Sequence, residues 1–389
     1  MAKPRYTKKV VGVLENPGGP GPMNTLLVVG DVNSDGRPDI VLSGRNGNLA
    51  WFENRGQGKP WERHPIDDIT NLECGGCLYD LMGKGRPDLI NGSDYGSVDL
   101  LWWENPGAAG GKWVKRIVAP TGNRQFHDTL IGDVTGDGSL SLVFTNQHGR
   151  GGTWVYRVPL PQDPRQSPWP GLEVIVDGIT EVNPGRPEGV QPEEGVAIGD
   201  VDGDGKNEVV AGTHWYKKVK GAWQRHKFAS GYITTKIQIA DIDGDGKNEI
   251  VLSEGDPCVY GRTRGGKAGW FKPKGDLTAL WEEHVLEDNL LDAHSLRVAD
   301  LCGNGRADIL VGEVGFADHA TDAYVGKQPQ LLIFENTGKG EFTRHLIDEG
   351  TGCHDAWLAD LYGRRVLDIV TRPLHGPEKW NLHVYERER

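Results

Sequence analysis

The sequence has few of the features that mark disulfide-rich, membrane-spanning or nucleic-acid-binding proteins. Its five cysteines are scattered, and Cys74-Gly-Gly-Cys77 lacks the second cysteine or histidine pair that a zinc module needs. No apolar run reaches the roughly 18–20 residues of a membrane span. The 43 Lys and Arg are outnumbered by 55 Asp and Glu, giving a formal net charge of −12. An acidic protein binds phosphate backbones poorly, so we expect no nucleic-acid partner and no membrane partner.

The first five residues, Met1-Ala-Lys-Pro-Arg5, contain no hydrophobic signal segment. As given, the sequence predicts a cytoplasmic protein, or a secreted or periplasmic one whose signal peptide has been removed. The chain is rich in chain-breaking residues, with 56 Gly and 23 Pro, which favours many short strands joined by turns over long helices. Its 13 Trp and 37% hydrophobic residues are enough for a folded core.

An acidic loop of the form Asp-x-[Asp/Asn/Gly]-x-Asp-Gly-x-x-[Asp/Glu] recurs along the whole chain, between two apolar stretches. Successive copies begin about 55 residues apart. Each copy is followed by an aromatic strand, such as Trp51-Phe-Glu-Asn54, and then by an aromatic-x-x-basic strand, such as Trp61-Glu-Arg-His64. The clear copies begin at Asp31, Asp133, Asp200 and Asp241, and weaker copies begin at Asp80, Asp300 and Asp360.

Four short strands in each of seven units predict an all-β, seven-bladed β-propeller. We label the strands of a blade a to d from the centre outwards, and the acidic loop joins a to b. Residues 5–11 look like a d strand, and the last unit ends on a c strand, so we expect the N-terminal strand to close the last blade. One domain then spans residues 1–389, with blades near 22–65, 72–119, 125–177, 192–229, 233–288, 292–348 and 352–389.

Alternating carboxylates in the acidic loops predict structural Ca²⁺ sites, because this hard cation prefers six to eight oxygen ligands. Blades one, four and five keep the full set of oxygen ligands, whereas blades three and six predict weak binding and blades two and seven none. The expected ligands are Asp31, Asn33, Asp35 and Asp39, then Asp200, Asp202, Asp204 and Glu208, and finally Asp241, Asp243, Asp245 and Glu249.

Histidines that fall outside the repeat pattern share one position in the blades. The residue six places before each acidic loop is Thr25, Cys74, His127, Glu194, Thr235, His294 or His354. Equivalent positions in a closed ring surround its axis, so three imidazoles and one carboxylate are expected to converge in a central funnel, on the face opposite the acidic loops. We interpret this group as a functional cluster of acid/base residues or as a second, catalytic divalent-metal site for Zn²⁺, Mn²⁺ or Mg²⁺. A set of solvated histidines at the channel mouth is the alternative.

The loops on that face carry polar and aromatic side chains that suit a hydroxyl-rich ligand. A sugar or oligosaccharide is therefore the expected partner. The candidate substrate-binding residues are Tyr95, His148, His214, Glu254, Arg262, Glu313, Tyr324 and His375.

The acidic loops and the aromatic strands make the chain resemble the FG-GAP/VCBS-type seven-bladed propellers. The run Trp103-Glu-Asn-Pro-Gly107, the Trp-x-Arg-His strands and the stretch 235–246 are more specifically similar to the propeller domain of the aldos-2-ulose dehydratase family. This resemblance implies a lyase that removes water from keto-sugars such as glucosone or 1,5-anhydrofructose, with an active-site histidine. The cupin domains that carry an isomerase step in the fungal enzyme have no counterpart in this sequence.

In such a β-elimination a base takes the proton next to the carbonyl, an electrophile holds the enolate oxygen, and an acid protonates the leaving oxygen. We predict His127, His294 and His354 as base, acid or metal ligands, and Glu194 as a further ligand or orienting acid. Arg372 or Lys236 is the predicted oxyanion partner. A polysaccharide lyase acting on uronate-containing glycans and a non-catalytic, Ca²⁺-stabilised binding propeller are the alternatives.

Overall fold

A computed structural model of the chain describes residues 4–16, 23–107, 110–149, 152–179, 194–233, 235–255, 266–318 and 320–388. Their 28 strands form seven four-stranded antiparallel sheets, arranged as the blades of a β-propeller. This confirms the predicted fold class. Within these ranges there is no helix that is long and apolar enough to cross a membrane.

In each of the first six blades the strands follow one another in chain order from the inside outwards. Blade one contains β2 (Met23–Gly30), β3 (Asp39–Arg45), β4 (Gly47–Glu53) and β5 (Glu62–Thr70). Blade two contains β6 (Cys77–Tyr79), β7 (Asp88–Gly92), β8 (Asp99–Glu104) and β9 (Val114–Pro120). Blade three contains β10 (Arg124–Gly132), β11 (Ser141–Gly149), β12 (Gly152–Pro159) and β13 (Glu173–Ile179).

Blade four contains β14 (Val196–Gly199), β15 (Glu208–Ala211), β16 (His214–Val219) and β17 (Ala222–Lys227). Blade five contains β18 (Thr235–Ala240), β19 (Glu249–Glu254), β20 (Gly266–Lys272) and β21 (Glu282–Leu290). Blade six contains β22 (Ser295–Ala299), β23 (Asp308–Gly312), β24 (Gln330–Gly338) and β25 (Glu341–Glu349). Blade seven contains β26 (Asp355–Ala359), β27 (Asp368–Arg372), β28 (Asn381–Arg387) and, from the other end of the chain, β1 (Tyr6–Val13).

The N-terminal strand closes the last blade, as predicted. β1 pairs antiparallel with β28, in a register that runs from Tyr6 opposite Arg387 to Val13 opposite Asn381. The blade order β1-β28-β27-β26 therefore joins the two ends of the chain in one sheet. This pairing removes the open edge that β28 would otherwise present.

The apolar core lies between the blades. The second strands β7, β15, β19, β23 and β27 are buried along their whole length, since both of their faces pack against neighbouring sheets. The described residues form seven apolar clusters, each shared by two adjacent blades. The cluster that contains Leu14, Leu42 and Val370 joins blade seven to blade one and so completes the ring.

Three of the histidines that recur in the outer strands stack on tryptophans of the neighbouring strand. The ring centroids of Trp51 and His64 lie 4.3 Å apart, those of Trp215 and His226 4.2 Å, and those of Trp270 and His284 3.9 Å. These histidines therefore pack within their own blades, far along the sheet from the central channel.

Candidate functional site

The shared register position brings side chains from five blades into contact at the central channel. We call Cys74, His127, Glu194, His294 and His354 the channel cluster. All five residues are buried, none being more than 6% exposed. Each lies just before an inner strand or, in the case of His127, within one, so the cluster forms because these strands run side by side around the axis.

Glu194 lies between two imidazoles of the channel cluster. Its Oε2 is 2.7 Å from Nε2 of His294 and 3.2 Å from Nε2 of His127. The ring of His294 stacks on that of His354 with centroids 4.0 Å apart, and it is tilted toward the ring of His127 at 5.6 Å. Blades three, four, six and seven therefore contribute to one contact network.

The hydrogen bonds of His294 constrain its protonation. Its Nδ1 lies 2.7 Å from the carbonyl oxygen of His354, which can only accept, so Nδ1 carries a proton. In a neutral ring, Nε2 would then present a lone pair to the Glu194 carboxylate, and two acceptors at 2.7 Å repel each other. A proton or a metal ion must therefore lie between Nε2 and Glu194.

Lys236 connects the channel cluster to a second carboxylate. Its Nζ is 3.1 Å from Nδ1 of His127, 3.1 Å from Oδ1 of Asp128 and 3.6 Å from Glu194. Burial disfavours the ionised form of Asp128, but the charges and hydrogen bonds of Lys236 and His127 together outweigh burial and hold the pKa of Asp128 below its usual range. Burial likewise opposes the charge of Lys236, whereas Asp128 and Glu194 raise the pKa of its ammonium group.

Burial and nearby negative charge have opposite effects on the pKa of His127. Burial favours the neutral ring, but negative charge at Cys74 and Glu194 outweighs it and raises the pKa of His127. Since burial also raises the pKa of the Cys74 thiol to about 11, Glu194 supplies that charge at neutral pH. The hydrogen bond from Lys236 requires an unprotonated Nδ1, because an ammonium group cannot accept. We take the neutral ring as the form present in this contact.

Arg372 lies behind His354. It is fully buried, its Nη2 lies 2.6 Å from Nδ1 of His354, and the same group donates to the carbonyl oxygen of Thr25. Burial, together with the charges of His294 and Arg372, lowers the pKa of His354 well below its usual value. Arg372 therefore cannot contact a ligand in the channel. Of the two predicted oxyanion partners, Lys236 is the one that can.

Cys74 is the member of the channel cluster that the sequence analysis did not select. The sequence places it at the shared register position, but Cys74-Gly-Gly-Cys77 lacks the second pair of ligands that a zinc module needs. Its Sγ lies 2.8 Å from Nε2 of His127. The register position itself was the signal that could have identified it.

The donor atoms of the channel cluster fit a divalent metal ion. Cys74 Sγ and ring nitrogens of His127 and His294 all lie within 4.8 Å of one another. The buried Oε2 of Glu194 lies beside two imidazole nitrogens and has no hydrogen-bond partner of regular geometry. Sulfur, nitrogen and carboxylate donors match Zn²⁺ better than Mg²⁺ or Mn²⁺, which prefer oxygen ligands. Of the three predicted ions, the donor set therefore favours Zn²⁺.

A cavity of about 510 Å³ lies in the channel against this cluster. His294, Lys236 and Asp128 line one part of it, and Ala299 and Leu358, near the ends of their inner strands, line another. It therefore extends along the channel toward the acidic loops. The sequence predicts the ligand funnel on the opposite face, whereas this cavity lies on the acidic-loop side of the channel cluster.

Two ion pairs give the cavity a polar wall. Lys236 pairs with Asp128, and Nη2 of Arg297 lies 3.2 Å from Oδ1 of Asp355. Mostly apolar residues of the inner strands, such as Leu130, Ile198 and Trp357, form the rest of the wall. A mostly apolar cavity with a few convergent polar groups is typical of a small-molecule site.

Three of the predicted substrate-binding residues belong to the scaffold instead. Glu313 is fully buried and accepts the backbone N–H groups of Leu291 and Gln330, each at 2.7 Å. Glu254 is fully buried and accepts the N–H of Lys267 at 3.0 Å. His214 is buried beside Arg225, and its burial and that charge lower its pKa to about 3. Their polar atoms hold the blades together, so they are not part of a ligand wall.

Three further predicted substrate-binding residues, Tyr324, His375 and Tyr95, make their contacts outside the channel cluster. Tyr324 donates to the carbonyl oxygens of Thr351 and His375 and so ties blade six to blade seven, while His375 bonds Asp322 at 2.8 Å. Tyr95 is 48% exposed and lies beneath the guanidinium of Arg45. The side chain of His148 and the whole of Arg262 lie outside the described residues.

The acidic loops have a shared backbone role. In all seven loops, the first aspartate accepts the N–H of the residue at loop position six, at 2.6–2.9 Å. In blades one, four and five the acid at position nine accepts the N–H at position two, as Asp39 does from Val32 at 3.0 Å. These bonds explain why the first aspartate recurs even in loops without the full acidic set.

The predicted Ca²⁺ ligands are partly gathered in two loops. Oxygen atoms of Asp200, Asp202 and Glu208 lie within 4.8 Å of one another in blade four, as do those of Asp241, Asp243 and Glu249 in blade five. In blade one, Asp31 holds the loop backbone, Asn33 donates to Asp35 at 3.3 Å, and Asp35 pairs with Arg37. In blades four and five, Asp204 and Asp245 each contact a lysine.

No model of a known protein family matches the sequence, and no curated protein matches it. Solved structures share its fold. The structure is similar to BBS1N, crystallised in complex with ARL6DN, at 10% identity over 100% of this chain and 98% of that chain, with a TM-score of 0.54. It is similar to the V. cholerae biofilm matrix protein Bap1, at 12% identity over 99% and 91%, with a TM-score of 0.51.

A Bacillus licheniformis rhamnogalacturonan lyase, PL11, is also similar, at 13% identity over 98% of this chain and 75% of that chain, with a TM-score of 0.51. At such low identities these similarities establish the propeller fold alone. The resemblance to the FG-GAP/VCBS propellers and to the aldos-2-ulose dehydratase family therefore stays a prediction.

Proposed function

We propose that this protein is a carbon–oxygen lyase that carries out β-elimination on a keto-sugar, at the channel cluster. One observation carries the proposal: imidazoles and a carboxylate from four blades meet at one buried point beside a cavity. Burying several titratable groups together is costly unless they are paired, and packing alone does not require it. Such concentrations of perturbed groups are typical of functional sites.

The proposed roles follow from access to the cavity. His294 lines the cavity and is the proposed base. Once the proton between its Nε2 and Glu194 has passed to the carboxylate, the neutral imidazole takes the proton from the carbon next to the carbonyl. Lys236 also lines it, and its ammonium group stabilises the negative charge that develops on the enolate oxygen. The C–O bond at the next carbon then breaks. The same imidazole returns the proton to the leaving hydroxyl, so that water leaves and protons balance.

His127 and His354 orient this pair rather than contact the sugar. His354 accepts the Nδ1 hydrogen of His294 at its carbonyl oxygen, and His127 accepts a hydrogen bond from Lys236. Where a divalent ion is bound, Cys74, His127, His294 and Glu194 would hold it, and His294 would then be a metal ligand instead of the base. Such an ion would supply Lewis-acid polarisation of the substrate carbonyl.

The cavity favours a small substrate. Its volume of about 510 Å³ lies within the usual range for small-molecule sites and is suited to one or two sugar rings. The fold is compatible with elimination on glycans, since a rhamnogalacturonan lyase has a similar propeller. Lyase action on uronate polymers is therefore the second candidate, and it predicts cleavage of chains instead of dehydration of monosaccharides.

The test is an ultraviolet assay for enone formation by the full chain, with keto-sugars and uronate polymers as substrates, with and without chelator. We expect enone formation from a keto-sugar, and a loss of at least about 100-fold in kcat for His294→Ala. His284→Ala is the matched control, because His284 stacks on Trp270 in an outer strand. Turnover of neither substrate class, or equal turnover by His294→Ala and the wild type, would overturn the proposal.

A further inference from the structure

In six blades the third strand carries a charged residue beside the acidic loop. It directly follows the buried aromatic residue that pairs with the residue after loop position nine, as Tyr216 pairs with Val209 and Phe271 with Ile250. In blade three the equivalent residue is Pro159. This position is Glu53 in blade one, Glu104 in blade two, Lys217 in blade four, Lys272 in blade five, Glu335 in blade six and Glu386 in blade seven. Blades four and five therefore differ from the other four in the sign of this charge.

In blades two, four, five and seven this charge is opposite in sign to the residue at loop position five, whereas in blade one Asp35 and Glu53 have the same sign. Only the loops of blades four and five have aspartate at both position three and position five, and only these two blades have lysine on the third strand. In blade two the arrangement is reversed: loop position five is Lys84, and its Nζ lies 2.8 Å from Glu104. The pairing of charges across these blades indicates that loop and strand form one electrostatic unit.

In blades four and five the lysine ammonium lies among the loop carboxylates. Lys217 Nζ contacts Asp202, lies 2.6 Å from Asp204 and 3.4 Å from the buried Oε1 of Glu208. Lys272 Nζ repeats this geometry, contacting Asp243 and lying 2.7 Å from Asp245. A positive charge from the chain itself thus stands where the sequence pattern alone predicted Ca²⁺.

We propose that Lys217 and Lys272 are built-in cations that close the acidic loops of blades four and five without Ca²⁺. The backbone hydrogen bonds of Asp200 and Asp241 already fix the turns, and each lysine offsets part of the negative charge of the carboxylates that remain. Ca²⁺ reaches these two loops only by displacing an ammonium group, so they bind it weakly. This inference concerns the scaffold and does not depend on the proposed lyase activity.

The test compares Ca²⁺ binding and thermal unfolding of the full chain in Ca²⁺ and in EGTA. We expect Lys272→Met to bind one more Ca²⁺ per chain than the wild type, to unfold at a lower temperature in EGTA, and to be restored by Ca²⁺. Lys217→Met is expected to behave in the same way. Lys247→Met is the matched control, because Lys247 is an exposed residue of the same loop as Asp243 and its removal changes the net charge equally.

A second pair of variants keeps the inference testable if a lysine variant does not fold. Asp202→Asn and Asp243→Asn leave the lysines in place and remove one candidate ligand from each loop. We expect them to bind as many Ca²⁺ ions as the wild type. Fewer bound ions in either variant would overturn the inference, because the wild-type loop would then hold Ca²⁺ despite its lysine. A Lys272→Met protein with unchanged Ca²⁺ binding would also overturn it.

Discussion

At the scale of single residues, Glu194 is the side chain on which the channel cluster depends most. Burial disfavours its charge, but its interactions with His127, His294 and Lys236 hold its pKa well below the usual 4.5. Gln147 donates to its second oxygen at 2.7 Å, so one oxygen is anchored and the other faces the imidazoles. A carboxylate in this position compensates positive charge that the cavity wall concentrates nearby.

The Glu194→Gln variant tests this charge compensation through its effect on the free energy of unfolding. We expect the free energy of unfolding to fall by about 3–5 kcal/mol at neutral pH, because a buried charge network loses its anion. A group with a depressed pKa contributes stability above pH 4.5 and loses it as the pH falls through the folded-state pKa. The difference between wild type and variant in urea unfolding should therefore shrink at acidic pH. A difference that is independent of pH would contradict this account.

The register of the inner strands let the sequence indicate which residues meet, but not how they meet. Counting back from the acidic loops placed His127, Glu194, His294 and His354 at one level of the ring, because equivalent positions of a closed repeat must surround the axis. The count could not tell that Arg372 points away from the cavity, or that the Cys74 thiol turns toward His127. Those outcomes depend on side-chain rotamers and on burial, which no spacing rule contains.

The same limit applies to the loops between the second and third strands. Glu254 and Glu313 look like ligand-binding acids in the sequence, because they follow buried strands and precede glycine-rich stretches. In the structure they accept backbone hydrogen bonds, which a buried turn needs in order to avoid unpaired N–H groups. A sequence pattern cannot distinguish an acid that binds a substrate from one that binds its own backbone.

At the scale of elements, the fold was predictable because each repeat contains residues that mark its turns and strands. Each acidic loop marks the turn between the first two strands, and each aromatic strand marks the third. The strand at the N-terminus then had one open edge with which to pair, that of the last blade. Its pairing with β28 follows from the need to cover an edge and to complete the apolar cluster that contains Leu14 and Val370.

Removing residues 1–14 tests the closing strand. The deletion exposes the edge of β28 and removes Leu14, which is fully buried. We expect the unfolding temperature to fall by roughly 5 °C or more and the protein to associate through the open edge. Differential scanning calorimetry and size-exclusion chromatography measure the two effects. Deletion of residues 1–3 is the control, and equal behaviour of the two truncated proteins would show that β1 is dispensable.

At the scale of the whole molecule, ring closure creates the site. His127 and His354 are more than half the chain apart in sequence, yet each contacts or adjoins His294. No single blade contains two of the three imidazoles, so no isolated blade could assemble the cluster. The seven apolar clusters between blades fix the distances around the axis, and those distances determine the contacts at the channel.

The central claim is that residues from different blades act as one catalytic unit. A double-mutant cycle on kcat/KM with Glu194→Gln and His294→Ala tests it most directly, with a keto-sugar that the wild type dehydrates. We expect kcat/KM to fall by at least about 100-fold in each single variant. In the double variant it should fall by no more than about another tenfold below the less active single variant, because the effects of groups that act together are not additive. Losses that multiply in the double variant, or single variants as active as the wild type, would contradict the claim.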